Sequence, residues 1–122
     1  VLPNSITLTD QFANDHVLTK RSEQNGTTVF TGTFVDPSNY TYSSKLEVRH
    51  TSPDDPLLKG SHLLKLSVNT FDATGTLVAS YKAWTVQEGP GLTASGATRS
   101  FTMLTSALDV PAFADEFFAG SY

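Results

Sequence analysis

Cysteine is missing from all 122 residues. That absence excludes a disulfide framework, a thiolate zinc site, an iron–sulfur cluster and a cysteine nucleophile, so packing and hydrogen bonds must hold the fold. No apolar run approaches the roughly 20 residues that a helical membrane span needs. The start, Val1-Leu2-Pro3-Asn4, lacks the charged-then-apolar build of a signal peptide, and the chain reads as soluble. Positive charge is scarce as well. Eight Lys and Arg stand against twelve Asp and Glu, a net charge of −4, whereas a generic nucleic-acid binder carries a basic excess that neutralises phosphates.

Signatures of chemistry are equally sparse. There is no Gly-x-Ser-x-Gly turn, no phosphate-cradling glycine loop and no histidine pair at a ligand spacing, so His16, His50 and His62 read as structural. Asp54-Asp55 and Asp115-Glu116 read as solvated turn and helix charges rather than calcium ligands. Asn25-Gly26-Thr27 and Asn39-Tyr40-Thr41 match the glycosylation acceptor pattern and are better read as turns. The reading is of a protein that is no enzyme, with no catalytic residue, cofactor, metal, membrane or small-molecule substrate.

What is present fills one domain, 1–122, large enough for a single core. Ser5 to Thr9 alternates apolar and polar residues, Asn14-Asp15 turns the chain, and His16 to Ser22 is extended. Asn25-Gly26 then leads into Thr27 to Val35, rich in β-branched and aromatic residues. Asp36-Pro37-Ser38-Asn39 breaks the pattern. The clearest strand is Tyr42 to Thr51, with Leu46, Val48 and His50 on one side and Lys45, Glu47, Arg49 and Thr51 on the other. Ser52-Pro53-Asp54-Asp55-Pro56 is the next breaker. Ser61 to Phe71 opposes Leu64, Leu66 and Val68 to Lys65, Ser67 and Asn69, and Asp72-Ala73-Thr74-Gly75 turns tightly into Thr76 to Gln87. The faces of that last strand are Tyr81, Ala83, Thr85 and Val78, Trp84, Val86. Three long strands in a row form an antiparallel meander.

After Gly89-Pro90-Gly91 the period changes. Ala97, Phe101, Leu104 and Leu108 recur at helical spacing with Ser95 or Thr98 as a cap, and Pro111 opens a second helix carrying Phe113, Phe117 and Phe118 and closed by Gly120. Strands first and helices after make the class α+β. The expected segments are N-terminal strands and hairpins (1–39), the main antiparallel sheet (40–88) and two helices (95–120). Helices of about ten residues reach only about 15 Å, too short to cover such a sheet, and the phenylalanines spread round more than one helix face. A two-fold dimer, each copy laying its helices over the other's sheet, would bury both surfaces.

This order resembles the coat proteins of single-stranded RNA bacteriophages, the leviviruses. Lys45-Leu46-Glu47-Val48-Arg49-His50-Thr51-Ser52 is similar to the family's strand of alternating character before a Ser/Pro/Asp-rich turn. Leu64 to Val68 and Ala79 to Val86 resemble its next two strands, and Val110-Pro111-Ala112 through Tyr122 resembles its last helix and small-residue-then-tyrosine ending. The resemblance implies an interlocked homodimer with one continuous sheet, built in the bacterial host cytoplasm into an icosahedral (T=3) virion shell around single-stranded viral RNA. It also implies binding of an RNA hairpin on the inner sheet face, with translational repression of the replicase. The RNA-facing residues it implies are Lys45, Glu47, Arg49, Thr51, Lys65, Ser67, Asn69, Tyr81 and Thr85. Trp84, Phe101, Leu104, Leu108, Phe113, Phe117 and Phe118 are then core and dimer interface. The alternative from the residues alone is a small dimeric β-sheet binding module without an assembly role, with an enzyme of cystatin-like or hot-dog-like outline behind it.

Charge distribution softens the acidic balance. Residues 40–87 hold five basic and four acidic side chains, a balance of +1, and the flanks hold three basic and eight acidic, −5. The minus sign belongs to the hairpin, loops and helices.

Overall fold

Three aspartates set the turns at one end of a sheet. In the computed structural model, which describes residues 2–51, 61–88 and 93–120, Asp10, Asp36 and Asp72 each accept two backbone N–H bonds on one carboxylate oxygen, from residues two and four further on, at 2.9–3.0 Å. The turn closes through a residue at positive φ, Ala13, Asn39 or Gly75. These Asx turns join β1 (Ser5–Thr9) to β2 (Asp15–Gln24), β3 (Thr27–Val35) to β4 (Thr41–Thr51), and β5 (Ser61–Phe71) to β6 (Leu77–Glu88). At the opposite end Asn25 and Gly26, both at positive φ, make the two-residue loop between β2 and β3. Every strand pairs antiparallel with its sequence neighbour, giving one six-stranded sheet in the order β1 to β6.

Strands β1, β3 and β5 have the bounds expected from the sequence, and the other three differ at one or both ends by one or two residues. The breakers at 52–56 and 89–91, the Asp54-Asp55 pair and terminal Tyr122 lie outside the described residues.

Cross-strand register defines two chemically different faces. One carries Phe30, Leu46, Leu66 and Ala83 in a row, with Thr28, Val48, Leu64 and Thr85 beside it. The other carries Thr31, Lys45, Ser67 and Lys82, with Val29, Glu47, Lys65 and Trp84 beside it. On the apolar face Leu18, Phe30 and Leu46 are the buried core, with Ile6, Leu8, Val48 and Leu66 packed around them; each such burial stabilises by roughly 1.5–3 kcal/mol.

The sheet covers part of itself. Pairing of β2 with β3 starts at Thr19 opposite Thr31, while residues 15–18 pair only with β1. Their backbone passes over Gly32 so closely that a Cβ there would overlap the Val17 carbonyl oxygen and lie 3.1 Å from the Leu18 Cα. Only glycine admits that approach. A register shift between Lys20 and Ser22 accompanies the bend. His16 is thereby brought to Phe34, ring centroids 4.6 Å apart, and to Tyr42, 6.1 Å.

The helical unit is described by itself. Helix α1 (Ala94–Ser106) is capped by Thr93, whose Oγ1 accepts the Gly96 N–H at 3.1 Å. The expected caps Ser95 and Thr98 lie instead inside the helix, because it starts a turn earlier than the apolar spacing indicated. A 3-10 turn, Ala107–Asp109, holds Leu108 and leads to α2 (Pro111–Phe118), which opens on proline and is followed by Gly120 at φ +79°. No residue of either helix is buried. The rings of Phe113 and Phe117 stack 6.2 Å apart, and Phe118 meets Phe117 edge-on at 5.2 Å.

Candidate nucleic-acid interface

All four basic residues of the described β4–β6 strands, Lys45, Arg49, Lys65 and Lys82, project from the polar face, against two acids there, Glu47 and Glu88, for a balance of +2. The apolar face of the same strands carries no formally charged side chain. Alternation imposes this separation, since residues two apart in a strand share a face and directly paired residues share it across strands.

Seven of the nine expected RNA-facing positions fall together on this face: Lys45 opposite Ser67, Glu47 opposite Lys65, Asn69 opposite Ser43, with Arg49 and the backbone position of Thr51 further along β4. Asn69 Oδ1 accepts a 2.8 Å bond from Ser80 Oγ on β6. Arg49 donates to Glu47 Oε1 at 2.6 Å along its own strand, so Glu47 is paired within β4. Among the described residues Lys45, Lys65 and Lys82 make no ion pair. Three cationic heads are therefore available to anionic ligand without first breaking a contact.

Tyr81 and Thr85 are corrections. The register sets Tyr81 opposite Val68 and Thr85 opposite Leu64, on the apolar face. Trp84, expected in the core and dimer interface, is not core: it lies opposite Lys65 on the polar face and is 62% exposed. Alternation within β6 separates Tyr81 from Trp84 but does not set which of them shares a face with Lys65. Only the pairing of β6 with β5, shifted by a bulge between Thr70 and Phe71, decides that phase. Lys82, next to Trp84 on this face, is the second residue that sequence reasoning missed. Alternation sets it on the same side of β6 as Trp84, but that side is tied to Lys65 only by the register.

On the other face an open hollow of about 460 Å³ is lined by Leu8, Asp10, His16, Tyr42, Val68 and Tyr81, among others. His16 Nε2–H donates to Asp10 Oδ2 at 3.0 Å, and this bond above all holds the Asp10 carboxyl down at about 2. Tyr42 donates to Asp36 Oδ2 at 3.2 Å, and burial, reinforced by that carboxylate, raises its phenol. The hydrogen bonds orient these groups against the sheet.

The remaining interface residues foreseen from the sequence, Phe101, Leu104, Leu108, Phe113, Phe117 and Phe118, all present exposed apolar surface in the helical unit.

No protein-family model matches the chain, and no curated protein matches it. Solved structures do. A virus-like particle of Beihai levi-like virus 21 is similar over 100% of this chain and 98% of its own, at TM-score 0.66 and 16% identity. The bacteriophage EMS014 coat protein is similar over 88% of this chain and 74% of its own, at TM-score 0.59 and 16% identity. A virus-like particle of bacteriophage AVE019 covers 98% and 97%, at TM-score 0.54 and 16% identity. At that identity the likeness is one of architecture, and the six-stranded antiparallel sheet followed by two helices is the fold of phage coat proteins found in virus-like particles.

Proposed function

We propose that the chain is the capsid subunit of an RNA bacteriophage, a single coat domain over 1–122 that dimerises, assembles into a closed shell and holds single-stranded RNA against its polar sheet face. Fold alone does not carry function. The observation that carries the reading is the state of β5 and β6: their apolar face is left partly open, with Leu64 41% and Tyr81 66% exposed, and it ends at a 12-residue outer strand with no neighbour on its far side among the described residues. Long open edges are ordinarily blunted or covered. A second copy satisfies both needs, its β6 continuing the sheet and its helices, exposed along their phenylalanines, covering the apolar side.

The polar face supports the RNA part of the reading. Lys45, Lys65 and Lys82 offer phosphate contacts, and Trp84 offers a flat ring on which an unpaired base can stack, at roughly 1–3 kcal/mol per base. A balance of only +2 per subunit gives modest affinity that multiplies over the copies in a shell. Hairpin recognition and repression of the replicase message belong to the same face, and assembly to the bacterial cytoplasm.

Electron microscopy of purified protein, with absorbance of the particle fraction for nucleic acid, tests the proposal. Uniform RNA-filled shells are expected. Dimers that form no shell under several salt and RNA conditions would return the protein to the class of small dimeric binding modules. For the face itself, Lys65→Ala should reduce RNA affinity by about 1–3 kcal/mol and flatten the salt dependence by about one phosphate contact; unchanged affinity and slope would reject it.

A further inference from the structure

His50 and His62 stand twelve positions apart, a spacing that suggests nothing in sequence. The register sets them directly opposite, at one end of β4 and β5. The His50 N–H donates to the Gly26 carbonyl on the β3 side at 2.9 Å, so it does not point to β5, and the two histidines form a non-hydrogen-bonded antiparallel pair, the kind in which facing side chains come closest. Their Nδ1 atoms are 2.7 Å apart and their ring centroids 4.9 Å, at 70°. Both side chains are exposed.

We propose that His50 and His62 form a two-imidazole chelate for a divalent transition-metal ion of the zinc and copper class. Imidazole nitrogen is the preferred ligand type for these ions. Two nitrogens each about 2.0–2.1 Å from one ion stand about 2.9 Å apart at a right angle and about 3.4 Å apart at the tetrahedral angle. The rings therefore need to open by only a few tenths of an ångström. A bond between two Nδ1 atoms requires one to carry hydrogen and the other a lone pair. On binding, that hydrogen moves to the outer nitrogen of its own ring, leaving two Nδ1 lone pairs for the metal and releasing no net proton from neutral rings.

The surroundings permit the charge. Arg49 projects to the opposite face and is paired with Glu47, and the residue across from His62 on β6 is the uncharged Gln87. Among the described residues no group of three metal-ligating side chains occurs, so water completes the coordination and the site is of moderate affinity. His16, the third histidine, is engaged with Asp10 and lies outside the pair.

The test uses the full chain, zinc(II) and copper(II) salts alone, and no assembled particle, so it stands apart from the capsid reading. Calorimetric titration with zinc should show binding that the double variant His50→Asn, His62→Asn weakens by about tenfold or more. The copper(II) electron paramagnetic resonance spectrum of the wild-type protein should carry hyperfine structure from two equatorial imidazole nitrogens, which needs no variant. Equal zinc affinity in wild type and double variant, or a copper spectrum with one imidazole nitrogen or none, overturns the proposal.

Discussion

The apolar face of the sheet is closed over β2–β4 and only partly closed over β5–β6, where Leu66 packs on the core and Thr70 is buried but Leu64 and Tyr81 are not. On the first region Leu18, Phe30 and Leu46 are at most 4% exposed, because β2 bends over Gly32 and brings Ile6 and Leu8 onto them. On the second, Leu64 and Tyr81 share the same face yet remain open, Tyr81 at 66%. Both regions show the same alternation, so apolar periodicity by itself states which side a residue faces and not whether anything covers it. Covering comes from chain connectivity in one region and, on our reading, from a second copy in the other.

Truncation separates the regions most sharply. Phe30→Ala should cost about 3–5 kcal/mol in urea unfolding of the dissociated subunit, the usual cost of a cavity in a closed core. Leu64→Ala should cost under about 1 kcal/mol there, since little packing is lost, and should instead weaken dimerisation in sedimentation. Equal costs in the dissociated chain would erase the contrast. Next in size is Gly32→Ala, which forces the β2 backbone off the sheet and should destabilise by about 1–3 kcal/mol; an unaltered melting temperature would mean that the bend is not what closes the first region.

The two sides of β6 provide a third comparison. Trp84→Ala should weaken single-stranded RNA binding by about 1–3 kcal/mol, while Tyr81→Ala should leave it unchanged. A reversed result would restore Tyr81 to the polar face and overturn the register. The smallest effect concerns the hollow. Asp10 titrates at about 2 instead of 3.8, so the folded state binds its proton less readily than the unfolded one. Its contribution to stability is complete above about pH 4 and is lost as the pH falls toward 2. Asp10→Asn should flatten that part of the acid-unfolding profile, followed by circular dichroism.

Much of this fold is legible in the amino-acid sequence. Strand bounds at β1 and β5 follow from alternation and those of β3 from its β-branched and aromatic run between turn formers, and Asn25-Gly26 and Asp72 to Gly75 announce their hairpins because only a few residue types tolerate positive φ. The phase of one strand against the next was not legible. It depends on turn length and on bulges such as those near Arg21 and Phe71, and an error of one residue exchanges Tyr81 for Trp84. The meeting of His50 with His62 was hidden for the same reason, as was the role of Gly32, where the constraint comes from a segment fourteen residues earlier. The cap at Thr93 escaped because the apolar spacing of α1 begins only at Ala97.

The strictly sequential strand order has a consequence for how the protein is made. Each strand after the first finds one hydrogen-bonding partner already outside the ribosome when it emerges, and no pairing waits for a distant segment, so contact order is low for a β protein. Synthesis can therefore zip the sheet from its N-terminal hairpin outward, closing the Leu18–Phe30–Leu46 core when β4 arrives and leaving the open β6 edge as the last surface completed.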